Sequence, residues 1–219
     1  MDAVRVSALR DRLAGTGWLE AVGGFAGELR HAVTRRGAGE LLLVGGTGYE
    51  PWHLAAHLED EAAWSDVPRL APTLVRHRVP AAAPAHLAHG LGRLSGAGRG
   101  ATVLVVAPTA AGETLLERVQ DARRHGATVL ALDGAASGTP GGSAGPGDVT
   151  GPGDATGLGD LAGLAHRRLA VGTAEDEPFD LAQHLVSAAA GQPPGQRSAL
   201  GRLAALAGRL TAGPTISRW

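Results

Sequence analysis

The sequence predicts an α/β protein in which a parallel sheet is sandwiched between layers of helices. Two observations carry this prediction. Short continuous apolar runs bounded by glycine or polar residues, such as 41–44, have the pattern of strands buried on both faces. Helical periodicities separate these runs, and strands alternating with helices imply right-handed crossovers between parallel neighbours. A chain of 219 residues, 44% hydrophobic and 19% charged, is long enough for one such domain with a full core.

In chain order, residues 1–13 suggest a short helix. Trp18, Val22, Phe25, Leu29 and Val33 then recur at spacings of three and four, which predicts a helix with one apolar stripe. Arg30, Arg35 and Arg36 gather towards its end, where they suit the helix dipole, and Gly37 and Gly39 break it. Strands are expected at 41–44, 102–107, 128–132 and 168–171, with helices at 51–64, 112–125 and 179–190. Residues 73–79 offer a further strand of weaker alternation. Leu200, Leu203, Leu206 and Leu210 mark a last amphipathic helix that needs a surface to cover.

Between 134 and 159 the chain changes character. Gly-Pro-Gly-Asp-Val-Thr at 145–150 is nearly repeated at 151–156 and echoed at 157–160. Asp148, Asp154 and Asp160 do not have the spacing of calcium loops. Glycine and proline without apolar residues do not repay ordering entropy, so a flexible, solvated surface insertion is expected.

A net charge of −1 gives no reason to expect a nucleic-acid partner. The absence of cysteine removes disulfides, thiolate chemistry and Cys-ligated zinc. Every cationic side chain is Arg, and with no lysine there is no Schiff-base catalysis and no Walker-type phosphate loop. No apolar run approaches the ~20 residues of a membrane span, and no signal-peptide core is evident, so a cytoplasmic protein is the expectation. Aromatics make up only 3% of residues, which predicts an aliphatic, small-residue core.

Two turns carry the chemistry. Thr109-Ala-Ala-Gly-Glu-Thr114 follows the run 102–107 and opens a helix, forming a small-residue cradle at the carboxyl end of a strand. Backbone N–H groups at a helix start attract anions, and Gly112 allows close approach to the main chain. This placement points to a phosphorylated small molecule. The other turn, Val44-Gly-Gly-Thr-Gly-Tyr-Glu-Pro51, follows the first strand and runs into a helix.

Together these turns resemble the two motifs of the sugar isomerase (SIS) domain family, the second of which is a strand, then Ser-x-Ser-Gly-x-Thr, then a helix and a Gly-Ala-x-Val strand entry. Here it reads 103–114 followed by Asp121-Ala-Arg-Arg-His-Gly-Ala-Thr-Val-Leu130. The resemblance implies a five-stranded, flavodoxin-like parallel sheet in a three-layer sandwich, with a sugar phosphate at the strand carboxyl ends. It divides the chain into N-terminal helices (1–36), an SIS domain (37–192, with the 134–159 insertion) and a C-terminal helix and tail (193–219). The implied ligand-binding residues are Gly46, Thr47, Gly48, Tyr49, Glu50, Thr109, Ala110, Ala111, Gly112, Glu113 and Thr114. Glu177 is the counterpart of a catalytic glutamate, with His184 beside it as a second candidate base.

Three departures bear on function. The serine of the first motif falls on Gly48 in one register and on Glu50 in the other, where a carboxylate would repel phosphate. In the second motif Ser-x-Ser has become Thr109-Ala110-Ala111, so one hydroxyl is kept and one lost. Around 175–178 the match is loose. Each lost hydroxyl removes about 1.5–3 kcal/mol of hydrogen bonding to a charged oxygen. The reading that follows is a binding protein for a phosphorylated sugar or carbohydrate derivative, regulatory or scaffold in role. The alternatives are an aldose–ketose phosphosugar isomerase, or a structural assembly protein without a ligand. His53 and His57 lie four apart but lack the acidic residue of a metal motif, so they read as structural histidines; His86 and His89 read as solvated or interface residues. No metal or other cofactor is expected. SIS domains commonly pair, so the resemblance implies a homodimer or larger homo-oligomer, with no nucleic-acid or membrane partner.

Overall fold

The computed structural model describes residues 17–134, 160–171 and 179–192. Four expectations fall outside the described residues: the helix at 1–13, the insertion beyond Gly134, Glu177 with its acidic neighbours, and the leucine helix of the C-terminal tail. The described elements run α1 (Trp18–Thr34), β1 (Leu41–Gly45), α2 (Trp52–Trp64), β2 (Pro72–Val75), β3 (Thr102–Ala107), α3 (Glu113–Arg124), β4 (Thr128–Gly134), α4 (Leu161–Leu164), β5 (Arg167–Val171) and α5 (Phe179–Ala190). The five strands form one sheet in the order β2-β1-β3-β4-β5, with every pair parallel.

The continuous apolar runs are strands because both faces of the sheet are covered. Alternate residues point to opposite sides. Leu41, Leu43, Leu104, Val106, Leu130, Leu132, Leu169 and Val171 join a core with α1, α2 and α5. Leu42, Val44, Val103, Val105, Ala107, Val129 and Ala131 join a second core with α3 and α4. Burying a leucine contributes roughly 1.5–3 kcal/mol, so β1, whose five residues are all buried, is held from both sides.

The edges are where sequence and structure part. The weak run at 73–79 forms a strand only over Pro72–Val75, after which Arg76 keeps a single bridge to Gly90. Proline at its first residue suits an edge, where no ladder donor is needed. At the end of α1, Arg30 and Arg35 do more than balance a dipole. Arg30 Nη1 donates to the carbonyl of Ala190, the last residue of α5, at 2.9 Å, and Arg35 Nη2 donates to Thr128 Oγ1 at 3.1 Å. Gly134, where the insertion begins in the sequence, is the last residue of β4. Asp160 caps α4, its carboxylate accepting from the Gly163 N–H at 2.8 Å.

The sheet buries a carboxylate that is paired with a half-buried arginine. Asp133 is 1% exposed, and Arg168 Nε donates to both of its oxygens at 2.9 Å. Burial pushes the Asp133 carboxyl above the usual carboxylate range, while Arg168 pulls it back. Arg168→Ala strands the carboxylate, and the expected cost is about 3–5 kcal/mol near neutral pH. A raised carboxyl favours the protonated form in the folded state, so its contribution to stability is present at low pH and lost as pH rises. The deficit of the variant should therefore shrink as pH falls from neutral toward the usual carboxylate range, as measured by urea denaturation.

Candidate functional site

At the carboxyl ends of the strands, the loops following β1 and β3 meet. β1 ends in a turn in which the Tyr49 N–H donates to Gly46 O at 3.0 Å, and Gly46 N extends the ladder to Val106 O at 2.9 Å. A Cβ on Gly45 would lie 1.7 Å from Tyr49 O, so only glycine permits this tight return. The β3 loop reaches α3 through Gly112 at φ +82°, a conformation that favours glycine. A Cβ there would also lie 2.2 Å from Thr47 Oγ1. With the space left open, Thr47 Oγ1 donates to Ala111 O at 3.3 Å and ties the two loops together.

The sequence-predicted ligand residues are thus brought to one place. Gly46 and Ala111 are buried in its floor; Thr47, Gly48, Thr109, Ala110, Glu113 and Thr114 are exposed; Tyr49, Glu50 and Gly112 are half-buried. No side chain caps the start of α3 among the described residues, so its first N–H groups have no side-chain acceptor. Such groups carry partial positive charge and suit an anion. Glu113 stands in that first turn.

Glu50 is not the bare negative charge that the sequence suggested. Arg76 Nε donates to its two oxygens at 3.0 and 3.1 Å, Arg76 Nη2 lies 3.0 Å from Oε2, and Trp52 Nε1 donates to Oε2 at 2.7 Å. Burial alone would raise the Glu50 carboxyl, but the hydrogen bonds from Arg76 and Trp52 and the nearby positive charge hold it below the usual range. The Arg76 guanidinium also sits 5.2 Å over the Trp52 ring. Sequence reasoning missed Arg76 because it lies just past a strand too short to read from alternation.

Tyr49 ties the β1 loop to α5. Gln183 Nε2 donates to Tyr49 Oη at 2.8 Å and to Asp180 Oδ1 at 3.1 Å, and the Phe179 ring meets Tyr49 edge-on at 6.0 Å. Burial raises the Tyr49 phenol, so it stays protonated. The Gln183 Oε1 is buried and has no hydrogen-bond partner among the described residues.

His184 is placed beside His53 and His57. Its Nε2 lies 2.7 Å from His53 Nε2, which in turn lies 3.2 Å from His57 Nε2. The spacing of His53 and His57 was legible in the sequence, but the third histidine, more than a hundred residues away, was visible only as a separate candidate. Burial, with the charges of His57 and His53 added, pushes His184 down to about 4. His57 is lowered too, first by burial and then by His53.

These shifts have a sign. The folded chain holds His184 neutral to lower pH than the unfolded chain, so the unfolded state binds more protons between about 6.5 and 4, and stability falls as pH falls through that window. In buffer containing a chelator, His184→Asn is expected to show a shallower loss of urea midpoint over this range than the parent.

Comparison with known proteins adds a fold. No protein-family model matches the chain, and no curated protein matches it. Among solved structures, a candidate sugar binding protein from Salmonella typhimurium LT2 superposes with a TM-score of 0.53 at 15% identity, covering 95% of this chain and 52% of that one. The sugar isomerase domain of an RpiR transcription factor from Sphaerobacter thermophilus gives 0.48 at 13% identity, over 84% and 85% of the two chains. The Vibrio vulnificus NanR protein, in complex with ManNAc-6P, gives 0.40 at 14% identity, over 94% and 60%. The chain spans about half the length of the Salmonella protein. At these identities the likeness is one of fold. With five parallel strands in the order β2-β1-β3-β4-β5 and helices on both faces, the chain shares its α/β fold with the Salmonella protein.

Proposed function

We propose that the crevice between the β1 and β3 loops binds a phosphorylated sugar or related carbohydrate derivative, in a regulatory or scaffold role rather than as an efficient catalyst. The observation that carries this reading is the junction of those two loops by Thr47 and Ala111, beside the start of α3, whose N-cap residue Gly112 supplies no capping side chain. Doubly wound sheets bind ligands where the strand order reverses, and β1 and β3 flank that point here. The exposed hydroxyls of Thr109 and Thr114 and the N–H groups of α3 suit a phosphate, and the half-buried Tyr49 hydroxyl, held by Gln183, suits a sugar hydroxyl. The description of the Salmonella neighbour as a candidate sugar binding protein agrees with this. Weak turnover follows from the missing hydroxyls at Gly48 and Ala111.

The reading includes homo-oligomerisation and a cytoplasmic location. Trp64, 69% exposed at the end of α2, is the most exposed large hydrophobic side chain among the described residues. Light scattering that reports a monomer at micromolar concentration would oppose the oligomer.

Thermal-shift screening against hexose, hexosamine and heptose phosphates, followed by calorimetry, tests the ligand. Thr109→Ala and Thr114→Ala are each expected to weaken the phosphosugar by about 1.5–3 kcal/mol while leaving the melting of the ligand-free protein unchanged. Deuterium incorporation at sugar C2, followed by NMR, is expected to be negligible. Rapid exchange that is lost in Glu177→Gln would replace this reading with the isomerase.

A further inference from the structure

Beside the crevice, the described residues hold a side-chain cluster for which the sugar reading has no use. His53 and His57 stand one turn apart on α2, and His184 comes from α5, which packs directly against α2. One nitrogen of each ring lies within 4.8 Å of the other two. The rings are in contact, with centroids 4.0–4.6 Å apart, and both His57 and His184 are half-buried.

Protons alone satisfy this arrangement poorly. A neutral imidazole nitrogen is either a donor or an acceptor with a single in-plane lone pair. His53 Nε2 faces two other Nε2 atoms, at 2.7 and 3.2 Å. Whichever tautomer it takes, it forms one good hydrogen bond; the second contact sets like against like or shares the same lone pair. A cation at the centre removes the conflict, because all three Nε2 lone pairs then point at it and the three N–H groups move to Nδ1.

We propose that His53, His57 and His184 form a three-nitrogen site for a divalent transition metal, zinc being the ion its chemistry fits, with a fourth position open to water or a ligand oxygen. Tetrahedral zinc with Zn–N bonds of about 2.0–2.1 Å requires nitrogens about 3.3–3.4 Å apart. The His53–His184 and His53–His57 nitrogens, at 2.7 and 3.2 Å, have to open by about 0.6 and 0.1 Å to reach that, which small side-chain rotations supply, and the His57–His184 pair lies within 4.8 Å. A set of imidazoles without carboxylates selects zinc, copper or nickel over calcium and magnesium. Asp60 on α2 and Asp180 on α5 bring negative charge to His57 and His184, which favours a cation there. The geometry is braced by the α2–α5 packing and by the Gln183–Tyr49 hydrogen bond one residue from His184. The site stands whether or not the crevice takes a phosphosugar.

The full chain, stripped with a chelator and dialysed, should take up one zinc per chain in calorimetry and melt at a higher temperature with zinc. Cobalt substitution of the parent should give the intense visible absorption of a four-coordinate ion, a readout that needs no variant. His53→Gln and His184→Gln should each weaken zinc by about a hundredfold or more, since even residues that only support a ligand cost about 10–100-fold. His86→Gln and His89→Gln, elsewhere on the chain, should change nothing. Circular dichroism and metal-free melting confirm that each variant folds. No zinc uptake by the folded parent, or uptake unchanged when all three histidines are replaced by glutamine, overturns the proposal.

Discussion

The site depends on one constraint: β1 is hydrogen-bonded to β2 on one side and β3 on the other. The helix that follows β1 covers one face of the sheet, and the helix that follows β3 covers the other. Their opening turns therefore leave adjacent strands toward opposite faces of the sheet, the place where doubly wound sheets take ligands. The described ligand candidates stand on these two loops and the start of α3 because the strand order brings together segments distant in sequence. The buried core on each face fixes β1 and β3 in register, from Leu41 opposite Thr102 to Gly45 opposite Val106.

Close contact between those loops is bought with glycine. Gly45 and Gly112 stand where any side chain would strike backbone or the Thr47 hydroxyl, so the loops approach until a side chain of one bonds a carbonyl of the other. This junction has a chemical consequence. Thr47 contributes its proton to Ala111 O, and a phosphate that recruits Thr47 as a donor has to compete with that bond. Thr109 and Thr114 are the more available hydroxyls.

The fold was largely legible because both faces of the sheet are buried, which makes strands into unbroken apolar runs that no surface residue interrupts. β3 was expected at 102–107 and α5 at 179–190, the bounds at which they occur. β2 was hard to read because it is short, begins with proline and has one neighbour. In the site, the turns carried their own signal in glycine and threonine spacing. Contacts across the sheet carried none: nothing in the local sequence says that Arg76 answers Glu50, that Gln183 holds Tyr49, or that His184 completes a pair on another helix. Those depend on the strand order, which assembles segments whose separate patterns are unremarkable.

The Glu50, Trp52 and Arg76 trio gives the crevice an optical property. The Trp52 indole is 42% exposed, donates to Glu50 and lies beneath the Arg76 guanidinium. Indole emission responds to the charges at its edge and face, and here both charges belong to residues at the rim. An anion that draws Arg76 away from Glu50 changes the field across the ring, while a neutral sugar that leaves the ion pair intact does not. In a chain whose other three tryptophans have been replaced, Trp52 emission would therefore report the charge of an occupant rather than its mere presence.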